Sequence, residues 1–400
     1  MKILIINCGS SSVKYQLLDP EKQIALAKGT VSRIGMPGAV LTHKRHDGDE
    51  VKLTGEILEH TAAIEYVLAI LLSPNHGVIK DKSEITAIGH RVVHGGEQFK
   101  KSVLINEEVL KMIRECIELA PLHNPHNLRG INACLQLLPG VPQVAVFDTA
   151  FHSQMPEVAY IYGLPYILYK RHGIRRYGFH GTSHYYVSRQ AYKMLGQPKE
   201  KLKVITCHLG NGCSMAAVDK GISIDTSMGF TPLEGLLMGT RCGDLDPQVI
   251  LHIMGHEEIG PSEASSLLNK HSGLFGISGE SSDMQDIIAS IEAGNPRAKL
   301  AFDAFCYRIK KYIASYAGVM GGVDAIVFTG GIGENNPDVR QQSCENLGFM
   351  GINVDTYKNQ QLPRGEEGDI SAPDSKVKVL VIPTNEELVI AIDTMKIIKK

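Results

Sequence analysis

Three short segments combine glycines with hydroxyls, amides or a cation in the way a phosphoryl group demands. Asn7-Cys8-Gly9-Ser10-Ser11-Ser12-Val13-Lys14 follows an apolar run and offers backbone N–H groups, hydroxyls and one ammonium in a compact turn. No Gly-Lys-Ser or Gly-Lys-Thr opens a helix there, so it is not a P-loop, and a plain hairpin turn has the same composition. His208-Leu209-Gly210-Asn211-Gly212 has glycines that let backbone approach a phosphate closely, or that simply close an Asn-Gly hairpin. Thr329-Gly330-Gly331-Ile332-Gly333-Glu334-Asn335 is a glycine bed ahead of Asn336-Pro337, an N-cap and first helical position for Asp338 to Asn346. Close strand-to-helix packing would use those glycines equally well.

Charged groups stand in similar surroundings. Arg91 lies in Gly89-His90-Arg91-Val92-Val93-His94-Gly95-Gly96, and Arg241 in Met238-Gly239-Thr240-Arg241-Cys242-Gly243-Asp244. A guanidinium there suits a carboxylate or phosphoryl fork, or an ordinary ion pair with a nearby aspartate. His180, in Gly178-Phe179-His180-Gly181-Thr182-Ser183-His184, precedes Thr182, the expected N-cap of a helix whose dipole favours an anion. A zinc pair from His180 and His184 has neither the glutamate of HExxH nor a third ligand, and is set aside. Asp148, in FDTAFH, and Glu386, in PTNEE, suit a magnesium ion or its waters, or the cap of a local helix.

The elements that must position these residues alternate. Strand-like runs over Lys2 to Ile6, Val144 to Phe147, Lys203 to Cys207, Ala325 to Phe328 and Val377 to Ile382 are separated by helical stretches such as Glu107 to Leu119. That is an α/β chain, and in open α/β sheets ligands bind at the strand ends that these polar turns occupy. A weak internal repeat pairs KILIINCGSSSVKYQLLD with LKVITCHLGNGCSMAAVDKG, and VAVFDTAFH with AIVFTGGIGEN. The first domain is expected over 1–150 and the second over 151–386, with a terminal helix over 387–400 returning to the first.

Composition sets the outer bounds. A chain of 400 residues with 43% hydrophobic content predicts two globular domains at roughly 100 to 200 residues each. Forty-one Lys and Arg against 43 Asp and Glu leave a charge of −2, which disfavours nucleic acid or an anionic membrane as partner. One basic residue before an apolar run too short for a signal or a membrane span predicts a cytoplasmic protein. The eight cysteines include no CxxC pair and are expected as free, buried thiols.

Taken together and in order, NCGSSSVK, GHRVVHGGEQF, FDTAFH, GFHGTSH, HLGNG, MGTRCGD, FTGGIGEN and PTNEE resemble the acetate kinase (acetokinase) family. The resemblance implies two duplicated actin-like (ribonuclease H-like) domains with a nucleotide cleft between them, a homodimer, and reversible transfer from ATP to acetate giving acetyl phosphate and ADP. By the same resemblance Asn7 and Glu386 serve Mg2+, with Mn2+ as the alternative ion. Lys14, Ser10 and Ser12 serve the phosphoryl region, and Arg91 takes the substrate carboxylate. Arg241, His180 and His123 surround the transferring group, and Asp148 stands at the catalytic acid position. Nucleotide contacts fall on His208, Leu209, Gly210, Asn211 and Gly212, on Asp283, Met284 and Gln285, and on Gly331, Ile332, Gly333, Glu334 and Asn335. Val93, Leu122, Phe179 and Pro232 match the pocket for the acyl methyl.

A carboxylate is already a nucleophile, so the expected mechanism is in-line transfer by positioning and charge neutralisation, with Asp148 ordering the metal more than moving a proton. The rival readings are a propionate or butyrate kinase of the same architecture and, from another class, an actin-like ATP-binding chaperone or filament module. One departure is plain: Asp283-Met284-Gln285 has glutamine where the family carries arginine, and glutamine supplies no planar cation. Gln285→Arg is therefore expected to lower the KM for ATP in steady-state assays, and an unchanged KM would show the position to be idle.

Overall fold

The computed structural model describes residues 1–399, so the last residue of the helix expected over 387–400 lies outside the described residues. The chain divides into two compact units, Met1–Ala150 with Asn385–Lys400, and Phe151–Thr384.

The first unit is built on strands β1 (Ile3–Cys8), β2 (Ser12–Asp19), β3 (Ile24–Ser32), β4 (Ala39–Arg45), β5 (Glu50–Gly55), β6 (Ala87–Val92), β7 (Val103–Leu104) and β8 (Gln143–Phe147). They form one sheet in the order β5-β4-β3-β2-β1-β6-β8-β7. Strands β1, β6 and β8 are mutually parallel, whereas β2 to β5 are added antiparallel. In β2 the alternation is explicit: Val13, Tyr15 and Leu17 are buried, with Lys14 and Gln16 on the opposite face. The buried face packs with Leu4, Ile6 and Val31 under Ile64, Val67 and Leu68 of the His60–Leu71 helix and Ala133 and Cys134 of the Asn124–Leu137 helix.

The central strands β1 and β6 are buried along nearly their whole length because the C-terminal helix, Glu386–Ile398, covers their other face. Gly89 makes that approach possible, since a Cβ there would lie 2.6 Å from Ile390 Cγ2 and 2.7 Å from Thr394 Oγ1. The helix expected over Glu107 to Leu119 ends earlier, at Glu115, where its last turn tightens through Ile117 N–H donating to Arg114 O.

The second unit carries β9 (Lys203–Leu209), β10 (Cys213–Asp219), β11 (Ile222–Thr226), β12 (Ala325–Thr329), β13 (Gly368–Asp369) and β14 (Lys378–Val381), ordered β11-β10-β9-β12-β14-β13. Here β9, β12 and β14 are parallel and β10 and β11 antiparallel. The core sets Val204, Ala216, Val218, Ala325 and Val327 against Val187 and Ala191 of the Gly181–Met194 helix.

The two sheets share an order, β3-β2-β1-β6-β8 and β11-β10-β9-β12-β14. This supports the first half of the internal repeat and overturns the second. AIVFTGGIGEN begins in β12, which lies beside β9 as β6 lies beside β1, so its counterpart is AIGHRVVHGGEQ and not VAVFDTAFH. The partner of VAVFDT, in β8, is VLVIPT, in β14. An apolar run followed by a turn looks alike in adjacent parallel strands, and only the pairing order separates them.

Gly89→Ala should overpack the seat of the C-terminal helix and lower unfolding stability by about 1–3 kcal/mol. Urea denaturation measures this, and a stability equal to that of the unaltered chain would show that the helix is held elsewhere.

Candidate active site

Parallel strands end on one side of a sheet, so in the first unit Asn7, Arg91 and Asp148 emerge together from β1, β6 and β8. The expected phosphate loop is a tight hairpin in which Gly9 N–H donates to Ser12 O at 2.8 Å and Asn7 pairs directly with Lys14. Asn7, Lys14, Arg91 and Glu386 line one cavity of about 370 Å3. Ser10 is exposed and lines a different cavity, beside His60 and Arg129, so Ser10 and Lys14 are not brought to the same space.

Asp148 is 1% exposed and receives Arg91 side-on, from Nε at 3.0 and 3.2 Å and from Nη2 at 2.7 Å. It caps no helix; of the readings open for the arginines, the ion pair with a neighbouring aspartate is the one Arg91 makes. Glu386 begins the C-terminal helix, with Oε2 3.9 Å from Arg91 Nε. Asn385, not Glu386, caps that helix by accepting from Leu388 N–H at 3.0 Å. Burial works against the Arg91 charge, yet Asp148 and Glu386 hold its pKa above the ordinary value. The same burial pushes the Glu386 carboxyl up to about 7, against the pull of Arg91.

Two buried asparagines that carry no motif lock this edge. Asn127 accepts from Val93 N–H at 3.0 Å and donates to Cys8 O at 2.9 Å, joining the ends of β1 and β6. Asn124 accepts from His94 N–H and donates to His94 O. Their sequence signal is weak, an Asn-Pro-His-Asn run at a helix start. His123 is the N-cap residue of that helix, Leu122 is 59% exposed and Val93 is buried.

In the second unit the Gly181–Met194 helix begins one residue after His180, which is its N-cap in the left-handed region at φ 54. Thr182, expected as the cap, is already inside the first turn. His180 Nδ1 and His184 Nε2 both meet Ser214 Oγ, at 2.9 and 2.7 Å, and the His180 ring stacks on His208 at 4.2 Å. His208 Nδ1 meets Ser183 Oγ at 2.8 Å.

The hairpin turn after β9 brings Gly212 against Arg241 and His180: a Cβ there would lie 3.4 Å from Arg241 Nη1 and 3.6 Å from His180 Cε1. Arg241 donates to Pro232 O at 3.1 Å and has no carboxylate partner among the described residues. Burial pulls its pKa down, with only Cys213 opposing. It is a half-buried cation without an anion. Phe179 is buried and Pro232 half-buried in this unit.

A cavity of about 680 Å3 in the same unit gathers Gly210, Asn211, Asp283, Met284, Gln285, Gly331, Ile332 and Asn335. Leu209, Gly212, Gly333, Glu334 and His208 do not line it. Glu334 Oε1 is turned inward, accepting from Gly330 N–H at 2.8 Å and Thr384 N–H at 3.1 Å, so it ties β12 to the end of β14. Asp283 caps the Met284–Glu292 helix by accepting from Gln285 N–H at 2.8 Å, and Asn336 caps Pro337–Cys344, which stops short of Asn346. Arg364 is the single cation on this lining, which also holds the acids Asp283, Glu292 and Asp338. Its position between the Thr356–Gln361 helix and β13 carried no motif.

The acetokinase family model matches residues 2–392. Acetate kinases of Desulfitobacterium hafniense and Symbiobacterium thermophilum are 58% identical over 400 residues and 59% over 399, each covering 100% of both chains. The crystal structure of Porphyromonas gingivalis acetate kinase is similar at TM-score 0.95 and 51% identity, over 99% of each chain. A propionate kinase from Francisella tularensis follows at TM-score 0.92 and 44% identity, again over 99% of each chain. With the model matched almost end to end and the same α/β architecture in the solved relatives, this chain belongs to the acetokinase family.

Proposed function

We infer that the chain transfers the terminal phosphoryl group of ATP reversibly to acetate, giving acetyl phosphate and ADP. The observation that carries this is the likeness to acetate kinases over the whole chain at 58% identity. The likeness to the propionate kinase is weaker, at 44%.

The acceptor is an anion that needs no general base, so the work falls on binding and orientation. Arg91 spends Nε and one N–H of Nη2 on Asp148, which leaves its Nη1–Nη2 edge as a fork for the acetate carboxylate. Asp148 fixes that fork; with both oxygens engaged by Arg91 it is no proton acceptor in this reading. Val93, Leu122, Phe179 and Pro232 are the apolar side chains assigned to the methyl, and an added methylene changes binding by about 1–3 kcal/mol.

On the donor side, the unpaired Arg241 charge supports binding of the phosphoryl group, with His180 beside it and Gly212 leaving room. Charge spreads over the phosphoryl oxygens as transfer proceeds, and fixed donors there lower the barrier. His123 is assigned to the same group. The cavity lined by Asn211, Asp283, Gln285, Gly331, Ile332 and Asn335 suits the nucleotide, with Arg364 as the cation that Gln285 does not provide.

Asn7 and Glu386 would supply the oxygens that hold Mg2+ or its waters. The Asn7 amide makes no side-chain hydrogen bond among the described residues, and a cation would relieve the cost of the buried Glu386 charge. When bound, the ion neutralises the nucleotide phosphates. A homodimer and a cytoplasmic location belong to the same reading, and light scattering tests the first; no described helix is long and apolar enough to cross a membrane.

Incubation with acetate, ATP, Mg2+ and hydroxylamine should yield acethydroxamate, with kcat/KM higher for acetate than for propionate or butyrate. Arg91→Ala and Arg241→Ala should each lower kcat/KM by about a hundredfold or more. ATP hydrolysis without hydroxamate would instead favour the chaperone or filament class.

Glu386 also gives a stability signature in nucleotide-free, metal-free protein. Its folded pKa of about 7 exceeds the usual 4.5, so the folded state binds more protons between those values and stability falls as pH rises through that window. Glu386→Gln should remove this fall, leaving the variant more stable at pH 8 yet impaired in turnover. Superimposable denaturation curves for the two proteins across the window would discard the assignment.

A further inference from the structure

Thr206, His184 and Ser214 are fully shielded from solvent, and the transfer chemistry assigns them nothing. His184 Nδ1 lies 2.7 Å from Thr206 Oγ1, and its Nε2 lies 2.7 Å from Ser214 Oγ, whose other neighbour is His180 Nδ1 at 2.9 Å. The result is a continuous hydrogen-bonded chain, Thr206–His184–Ser214–His180. Secondary structure aligns it: His180 and His184 are one helical turn apart, while Thr206 and Ser214 project from paired strands, opposite Ala216 and His208.

Proton counting gives the chain a direction. A hydroxyl has one proton to donate, and a neutral imidazole has one N–H and one accepting nitrogen. Burial, with His152 and His208 alongside, holds His184 well below the usual histidine range, so it is neutral. Thr206 Oγ1 has no other hydrogen-bond acceptor among the described residues, and a buried hydroxyl proton left unpaired is costly. Its proton therefore goes to His184 Nδ1. The His184 proton then sits on Nε2 and is donated to Ser214 Oγ, and the Ser214 proton goes to His180 Nδ1.

We propose that Thr206, His184 and Ser214 are positioning residues that hold His180 as its Nε2–H tautomer, a hydrogen-bond donor on the ring edge that lies against Gly212 and Arg241. A position for a Gly212 Cβ lies 3.6 Å from His180 Cε1 and 3.7 Å from Nε2. The role of that N–H in catalysis rests on the reading that His180 meets the phosphoryl group; the tautomer itself does not. A second proton on Nδ1 would require the whole chain to reverse and would orphan the Thr206 proton.

The test uses the full chain with 15N-labelled histidine, the His180 signals being assigned by their loss in His180→Gln. In the unaltered protein His180 should show an unprotonated Nδ1 and a protonated Nε2. Thr206→Val keeps the shape and deletes the donor; it should mix the tautomers and lower kcat about tenfold with little change in either KM. Thr206→Ser should restore both readouts, and Ser214→Ala should act like Thr206→Val if the valine variant does not fold. A protonated Nδ1 in the unaltered protein, or a Thr206→Val protein with unchanged tautomer and kcat, overturns the proposal. Failure to form hydroxamate would instead defeat the phosphoryl reading, with the nitrogen spectra still deciding the tautomer.

Discussion

A guanidinium cannot escape burial by giving up its proton, so each sheltered arginine in this molecule has to be answered by oxygen. Arg91 is answered by Asp148 and Glu386, and Arg176 by Glu234 and the carbonyls of Thr226 and Ser227. Arg340, 1% exposed, is answered without any ion pair, by the carbonyls of Gly333 and Glu334 and by Asn359. Those contacts hold the carbonyl end of the short Gly330–Asn335 helix, so the glycine bed is rigid because a cation is buried beneath it. Arg241 breaks the pattern: among the described residues it meets one backbone carbonyl and no carboxylate. Arg340, matched on every side inside the protein, is architecture, whereas a guanidinium with donors left unmatched, such as Arg241 or the outer edge of Arg91, keeps capacity for an anion.

The matched arginines also explain why acids near the candidate site are not interchangeable. Asp148 and Glu386 both approach Arg91, but Asp148 makes the short side-on pair and Glu386 keeps its distance at 3.9 Å. The first is a fixed strut. The second carries the burial cost in its raised pKa, leaving it with more to gain from another cation. Glu334 has the opposite fate: its carboxylate closes on its own strand and on Thr384 N–H, so a residue from a glycine-rich motif becomes part of the frame.

Much of the architecture was legible because burial leaves a pattern. Continuous apolar runs marked β1, β8, β9, β12 and β14, and Asn336-Pro337 marked a helix start that the structure keeps. Errors arose where a local signal had two physical solutions. Thr182 is a better capping residue than His180, yet the helix starts at Gly181 because the left-handed turn at His180 sets the chain direction one residue earlier. Glu107 to Leu119 looks helical throughout, but the last turn tightens and ends at Glu115. The second repeat pairs with β6 and not β8, a distinction the chain hides because the two strands are adjacent, parallel, buried and followed by turns. Asn124, Asn127, Arg364 and the Thr206–Ser214 chain went unnoticed, since asparagine, arginine and hydroxyl residues announce a role only through what they touch.

By itself the sequence determined the α/β class, the strands whose ends carry polar turns, and the family, because apolar periodicity and ordered motifs are properties of the linear chain. Tertiary structure alone decided which motif residues share a cavity, which carboxylate an arginine keeps, and which nitrogen of a histidine holds the proton. Those depend on distances of a few ångströms between residues far apart along the chain, such as Arg91 and Asp148 or His180 and Ser214. No spacing along a chain encodes such distances until strands have paired and helices have packed.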